Sequence, residues 1–214
     1  MLMEPEEKAF ASLERLLGKH KPEYYAKGKR SIVYICRFKG KKCIAKVQSK
    51  ASQAVNRIEN EAKWLKVLNR KGIGPKLYSA GTGYMVCEFI KGKIILEWLS
   101  SAEKKDTKKI LLDVLSQCRE MDNMHITKEE MHKPVKHIII SKGKPRMIDF
   151  ERCRKTEKPQ NVTQFCQFLM SGRVYLLLKK KGILFEKEII IQLLKEYRKD
   201  KMVFSVLLKA LCLC

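Results

Sequence analysis

The sequence predicts an α+β fold, strand-rich to about residue 90 and mainly helical beyond it. Between Tyr24 and Gln48 the residues YYAKGKRSIVYICRFKGKKCIAKVQ run in strand fashion around two turn signals, Gly28 and Gly40, which predicts three antiparallel strands. Between His137 and Arg152 the stretch HIIISKGKPRMIDFER carries two apolar runs joined by Lys-Gly-Lys-Pro, the pattern of a hairpin whose far end delivers Asp149 and Phe150. From Asn161 to the end the apolar residues fall at helical spacing. Strands gathered before helices, rather than alternating with them, are the signature of an α+β chain.

A chain of 214 residues has room for one large domain or two small lobes. At 45% hydrophobic and 32% charged it is globular, and a net charge of +23 favours acidic partners: nucleic acid, nucleotide phosphates or acidic proteins. The eight cysteines are scattered, mostly within apolar runs and without a C-x-x-C pair, which predicts free thiols in a reducing compartment rather than disulfides or zinc. The beginning, MLMEPEEKAF, is acidic where a secretory leader needs a basic region. No apolar run reaches the roughly 18 residues of a membrane span. A soluble cytoplasmic protein without membrane contact is therefore expected.

Taken in order, Glu4 to Lys19 places Phe10, Leu13, Leu16 and Leu17 on one helical face, closed by Gly18 and Pro22. The first turn of the strand region, GKRSIVY, sets Gly28 and Ser31 where backbone amides would face a phosphate, with Lys29 and Arg30 adding charge. On the third strand, CIAKV, Lys46 stands between Ala45 and Val47, and a lysine on an inward strand face needs a partner because an unpaired buried charge is costly. A helix over Ala51 to Asn69 supplies two choices, Glu61 and Glu59, of which Glu61 lies nearer the apolar stripe. A strand near Lys76 to Ala80, a turn at Gly81 to Gly83 and a strand from Tyr84 to Phe89 follow, and VCEFIKG leaves the sheet at Gly92. Helices are predicted over Ile94 to Ser100 and Ile110 to Met124, with the polar SAEKKDTKK as a break between them. After the hairpin, helices are predicted over Asn161 to Lys180, Glu186 to Arg198 and Lys201 to Leu213.

These features, in this order, resemble a protein kinase. CIAKV is similar to the kinase strand whose lysine reaches the nucleotide phosphates, Asp-Phe after an apolar strand is how kinases present a magnesium ligand, and VCEFIKG looks like the segment joining their lobes. More narrowly, Glu130 to His137 with IDFER resembles a group of small archaeal atypical serine/threonine protein kinases, E-x-x-x-P-x-K-H…IDFER, akin to the RIO and KEOPS-complex types. The likeness spans about Tyr24 to Arg152. It implies a two-lobed kinase-like fold, with a β-rich N-lobe over residues 1–90 and a short, mainly helical C-lobe over 91–214. It also implies ATP and Mg²⁺ as cofactors and a protein acceptor.

Residue by residue, the resemblance implies that Gly28 and Ser31 cover the phosphates and that Lys46, oriented by Glu61, holds them. Cys87 takes the gatekeeper position, and the backbones of Glu88 and Ile90 bond the adenine. Asp149 binds Mg²⁺. The loop HITKEEMHKPVKH departs from the common H-R-D pattern: aligned from Ile126, Glu130 takes the place of the catalytic aspartate and Lys128 that of the histidine, whereas counting back from His137 points to His132. Glu130 is preferred because a carboxylate keeps the proton-accepting or hydroxyl-orienting role. His137 takes the place of the second metal ligand, although hard Mg²⁺ prefers oxygen, and Lys133 and Lys136 stand ready to neutralise phosphate. Glu151 replaces the usual glycine after Asp-Phe, so either the turn avoids a glycine-only conformation or Glu151 is strained. His132 and His137, with Cys153, form a competing soft-metal set. Two rival functions remain: a pseudokinase scaffold, and a basic nucleic-acid or ribonucleoprotein binder, the latter opposed by aromatics that lie in apolar runs with no stacking motif on a sheet face.

Overall fold

The computed structural model describes residues 4–28, 30–49 and 56–213. Lys29 and the predicted helical start at residues 51–55 therefore lie outside the described residues. Chain contacts divide the protein into two compact units, Met1–Ile90 with Met147–Cys153, and Lys91–Arg146 with Arg154–Cys214. The short Met147–Cys153 segment thus packs with the first unit rather than with its sequence neighbours.

The first unit is built on a five-stranded antiparallel sheet. Its strands are β1 (Glu23–Lys27), β2 (Ser31–Phe38), β3 (Lys41–Gln48), β4 (Leu77–Gly81) and β5 (Tyr84–Glu88), in the order β1-β2-β3-β5-β4. The β2–β3 turn places Lys39 and Gly40 at φ +48° and +75°. That is the doubly left-handed geometry of a type I′ hairpin, whose twist matches the flanking strands. Strand alternation on β3 then sorts the side chains: Cys43, Ala45 and Val47 are buried against Ala9, Leu13 and Leu17 of helix α1 (Pro5–Leu17). Lys46 and Ile44 point to the opposite face. Helix α2 (Arg57–Leu68) buries Ile58, Ala62, Trp64, Leu65 and Leu68 and, among these apolar residues, Glu61. Beyond it Gly74 sits at φ +83°, where a Cβ would meet Leu65 at 2.7 Å and the Phe150 ring at 3.0 Å, so only glycine lets Phe150 close on α2.

In the second unit, helix α3 (Ile95–Ser101) precedes the long α4 (Lys104–Asn123). Of the polar residues expected to break the chain, Ala102 and Glu103 do separate the two helices, and Lys104 to Lys109 are instead the first turns of α4. Its apolar stripe begins with Ile110 and Leu111 and continues through Val114, Leu115, Cys118 and Met121, so periodicity alone marks only the packed part. Strand β6 (Lys93–Ile94) pairs with β8 (Ile138–Ser141), which neighbours β9 (Lys144–Met147) across a second type I′ turn, Lys142 at φ +49° and Gly143 at +69°. A two-residue strand β7 (Ile126–Thr127) pairs with β10 (Arg154–Lys155), a ladder too short for alternation to reveal. The predicted helix over Asn161 to Lys180 is two helices, α5 (Asn161–Met170) and α6 (Gly172–Lys180), because Ser171 turns extended at ψ 144° while the apolar period runs on. Helix α7 (Lys187–Lys199) and helix α8 (Phe204–Ala210), the latter entered through a 3₁₀ turn at Lys201–Val203, complete the unit. Among the described residues no helix is long and apolar enough to cross a membrane.

Candidate functional site

Within the first unit, three sequence-predicted residues come together. Lys46 Nζ lies 2.7 Å and 2.9 Å from the two carboxylate oxygens of Glu61. Glu61 Oε1 also accepts the Phe150 amide at 3.3 Å, which fixes the backbone next to Asp149. Of the two glutamates weighed for Lys46, Glu59 is engaged elsewhere, accepting the Gly83 amide at 2.6 Å. Burial alone would neutralise Lys46, but Glu61 and then Asp149 outweigh it and hold the ammonium well above the ordinary lysine range. Burial pushes the Glu61 carboxyl up, Lys46 opposes that shift, and Asp149 adds to it. Glu61 and Asp149 thus put two carboxylates around one cation.

The chain after Asp149 is tied back to the same unit. Asn60 Nδ2 donates to the carbonyls of Glu151 and Cys153 at 2.8 Å and 3.1 Å, and Arg30 pairs with Glu151 at 2.5 Å. Glu151, in the place of a glycine, therefore anchors the turn before β2. Of the two conformations weighed for it, Glu151 avoids the left-handed one. Asp149 adopts it instead, at φ +65°, and aspartate tolerates that region better than most residues.

The Gly28 amide donates to the Ser31 carbonyl at 2.8 Å, closing the turn on itself, so a phosphate there would be met by Ser31 and side-chain charge rather than by that amide. The Glu88 amide donates to the Lys76 carbonyl at 2.9 Å, so an adenine there would not be met by that amide. Cys87 is buried, and burial raises its thiol to about 12, so it is an inert wall rather than a nucleophile.

In the second unit, Glu130 lies at φ +72°, and its Oε2 is 3.9 Å from His137 Nδ1. Glu130 and the exposed His132 line a groove of about 320 Å³ with Thr127, Arg154 and Gln164. Lys133 and Lys136 are exposed. The loop is held from behind by residues that sequence reasoning missed. Asp122 Oδ1 accepts from the backbone and side-chain nitrogens of Asn161 at 2.9 Å and 2.7 Å, and Oδ2 accepts from Val162 N at 3.3 Å and Tyr197 OH at 3.1 Å. Asn161 in turn donates to the Ile126 carbonyl at 2.6 Å and accepts the Lys128 amide at 2.7 Å, while Gln164 accepts the Met131 amide at 3.0 Å. A carboxylate thus caps the start of α5, and α5 clamps the backbone on both sides of Glu130. The available signal was Asp122 itself, an acid four residues past Cys118 on the apolar stripe of α4.

The donor chemistry bears on Mg²⁺. Among the described residues no group of three or more His, Cys, Asp or Glu could hold a metal ion, so neither a protein-only cage nor the soft-metal set of His132, His137 and Cys153 is built. Mg²⁺ is commonly held by one or two carboxylates together with nucleotide phosphates, and Asp149 offers a carboxylate beside the Lys46 charge. That donor fits the ion; the nitrogen of His137 is the poorer match.

No family model matches the chain, and no curated protein matches it. Among solved structures it is similar to the autoinhibited serine kinase domain of the giant muscle protein titin, at TM-score 0.54 and 17% identity over 65% of this chain and 47% of that one. The chain thus spans about half the length of that kinase chain. At such identity the likeness speaks for the fold alone and not for a RIO or KEOPS kinship. An antiparallel sheet followed by helices, in two units, is a protein-kinase-like two-lobed fold.

Proposed function

We propose that the chain is an ATP-dependent phosphotransferase, a serine/threonine protein kinase of the small atypical kind its sequence resembles, acting on a protein acceptor. The observation that carries this is the Lys46–Glu61 pair beside Asp149, with Phe150 anchored to the same glutamate. A lysine kept charged while largely buried is suited to hold nucleotide phosphates, and Glu61 fixes where that charge sits. Asp149 and phosphate oxygens would hold Mg²⁺, which when bound neutralises the charge on the phosphates. The Glu88 carbonyl and Ile90 backbone would orient the base, and Ser31 with Arg30 would flank the phosphates. In the second unit Glu130 would orient an acceptor hydroxyl and Lys136 would meet phosphate. Phosphoryl transfer is mostly positioning and charge neutralisation, so this set of groups is sufficient in kind. The seven described cysteines are free, and the reducing cytoplasm is the compartment we assign.

One observation favours a second reading, a nucleotide-binding scaffold without turnover: Glu130 is held at a left-handed φ, with a nitrogen ligand rather than an amide oxygen as its neighbour. Calorimetric titration with ATP, with and without Mg²⁺, tests the part common to both. Saturable binding that Mg²⁺ tightens, with the Mg²⁺ effect lost in Asp149→Ala and all binding weakened in Lys46→Ala, is the expected result. A folded wild-type protein that gives no saturable binding overturns both.

A further inference from the structure

At the hairpin end of the first sheet, the end of β3 away from Lys46, lies a groove of about 540 Å³ lined by Lys19, His20, Lys21, Arg37 and Lys42, with Glu23 as the carboxylate among them. Arg37 and Lys42 are direct register partners across β2 and β3. Like charges placed opposite each other on one sheet face repel, and they bring the fold no gain unless an anion lies across them. Aromatic rings hold the neighbouring cations in place: Lys42 Nζ stands 4.5 Å from the Phe89 ring centroid, and Lys39 Nζ 5.5 Å from that of Phe38.

The strand next to Glu23 supplies a second kind of contact. β1 is an edge strand, and Tyr24 and Tyr25 are 66% and 58% exposed. The register with β2 slips between Tyr24 and Ala26, so Tyr25 is the bulged residue, and bulges at sheet edges re-aim side chains. Tyr24 turns to the face covered by helix α1, its ring edge-on to Tyr34 at 6.4 Å, which leaves Tyr25 as the open ring on the strand whose Glu23 lines the groove.

We propose that this groove binds single-stranded nucleic acid, its cations on the phosphates and Tyr25 of β1 against a base. An acidic peptide would satisfy the cations but would leave the open Tyr25 ring unused. Lys42 and Lys46 are four residues apart on β3, roughly 13 Å at strand rise, so the groove is a subsite separate from the candidate nucleotide site.

The test is fluorescence anisotropy of a labelled oligouridylate over a salt series. In Arg37→Gln/Lys42→Gln, affinity is expected to fall about tenfold or more and the log–log salt slope to shrink by about 1.4, the single-strand value for two lost phosphate contacts. Tyr25→Ala is expected to weaken binding about fivefold with an unchanged slope. Lys179→Gln/Lys180→Gln, an equal loss of exposed charge on α6, is expected to change little. Thermal unfolding of the Arg37/Lys42 variant at or above the wild-type temperature shows that lost affinity is not lost fold. Equal losses in the groove and α6 variants would reduce the effect to diffuse charge and overturn the proposal. It is equally overturned if polyglutamate competes as well as unlabelled RNA, or if Mg-ATP displaces the oligonucleotide.

Discussion

Among the described residues each unit buries one carboxylate, and the two are satisfied in different ways. Glu61 is 3% exposed and meets an ammonium, Lys46; Asp122 is 2% exposed and meets amide nitrogens and a phenol. An ion pair in a low-dielectric site adds little net stability relative to an apolar pair, so what it supplies is a fixed cation rather than stability. A carboxylate on a helix start adds no cation; what it gives is a rigid frame for the loop in front of it. The first arrangement is therefore read as holding a ligand's charge, the second as holding the backbone that presents Glu130.

The largest effect is expected from breaking the first arrangement. Lys46→Met should abolish phosphoryl transfer and, by leaving Glu61 as an uncompensated buried charge, cost about 3 kcal/mol in urea unfolding. Lys46→Met/Glu61→Leu should recover most of that stability and none of the nucleotide binding, which separates the functional from the structural share. Were the double variant to bind Mg-ATP as well as wild type, the pair would have no ligand role.

Breaking the second arrangement should cost nearly as much stability. Asp122→Ala leaves Asn161 and the first amides of α5 without their acceptor, a loss of about 3 kcal/mol. The pH dependence carries a definite sign. Burial raises the Asp122 carboxyl above the usual aspartate range, against the pull of its hydrogen-bond donors. The share of stability that depends on its protonation is thus fully present below the ordinary aspartate value and lost as pH rises through the raised one, while the hydrogen bonds it accepts remain. Asp122→Asn should flatten that part of the stability profile; an unchanged slope would locate it in another group.

Smaller effects should follow at the loop itself. Glu130→Gln should lower turnover about a hundredfold with an unchanged unfolding midpoint. Glu130→Gly should instead gain about 1 kcal/mol by relieving the left-handed backbone while losing the same activity. A Glu130→Gln protein with full turnover would move the acceptor role elsewhere, with His132 in the same groove the first residue to examine.

How much of this could be read from residue order follows from the range of the interactions. Lys46 and Glu61 were accessible because each is set by local periodicity, one on an alternating strand and one on a helical stripe, and Asp149 because it ends an apolar run. The Asp122 network was not, since it joins residues 122, 161 and 197, and no local spacing records a contact across such separations. The Arg30–Glu151 pair is hidden for the same reason. The strain was half legible: the missing glycine at Glu151 signalled an unusual turn, but the chain shifted the left-handed residue two positions back, to Asp149. Helix ends were misplaced where charge rather than packing begins the helix, as in α4, and where one extended residue, Ser171, interrupts an unbroken apolar period.

The measurement that bears most directly on the central claim is transfer of label from γ-labelled Mg-ATP to the protein itself and to a mixed protein substrate, compared among wild type, Lys46→Met and Asp149→Asn. The account predicts labelled serine or threonine with wild type and at least a hundredfold loss in each variant, with all three proteins folded. Equal labelling by wild type and both variants, or none by a wild type that binds Mg-ATP, would contradict it.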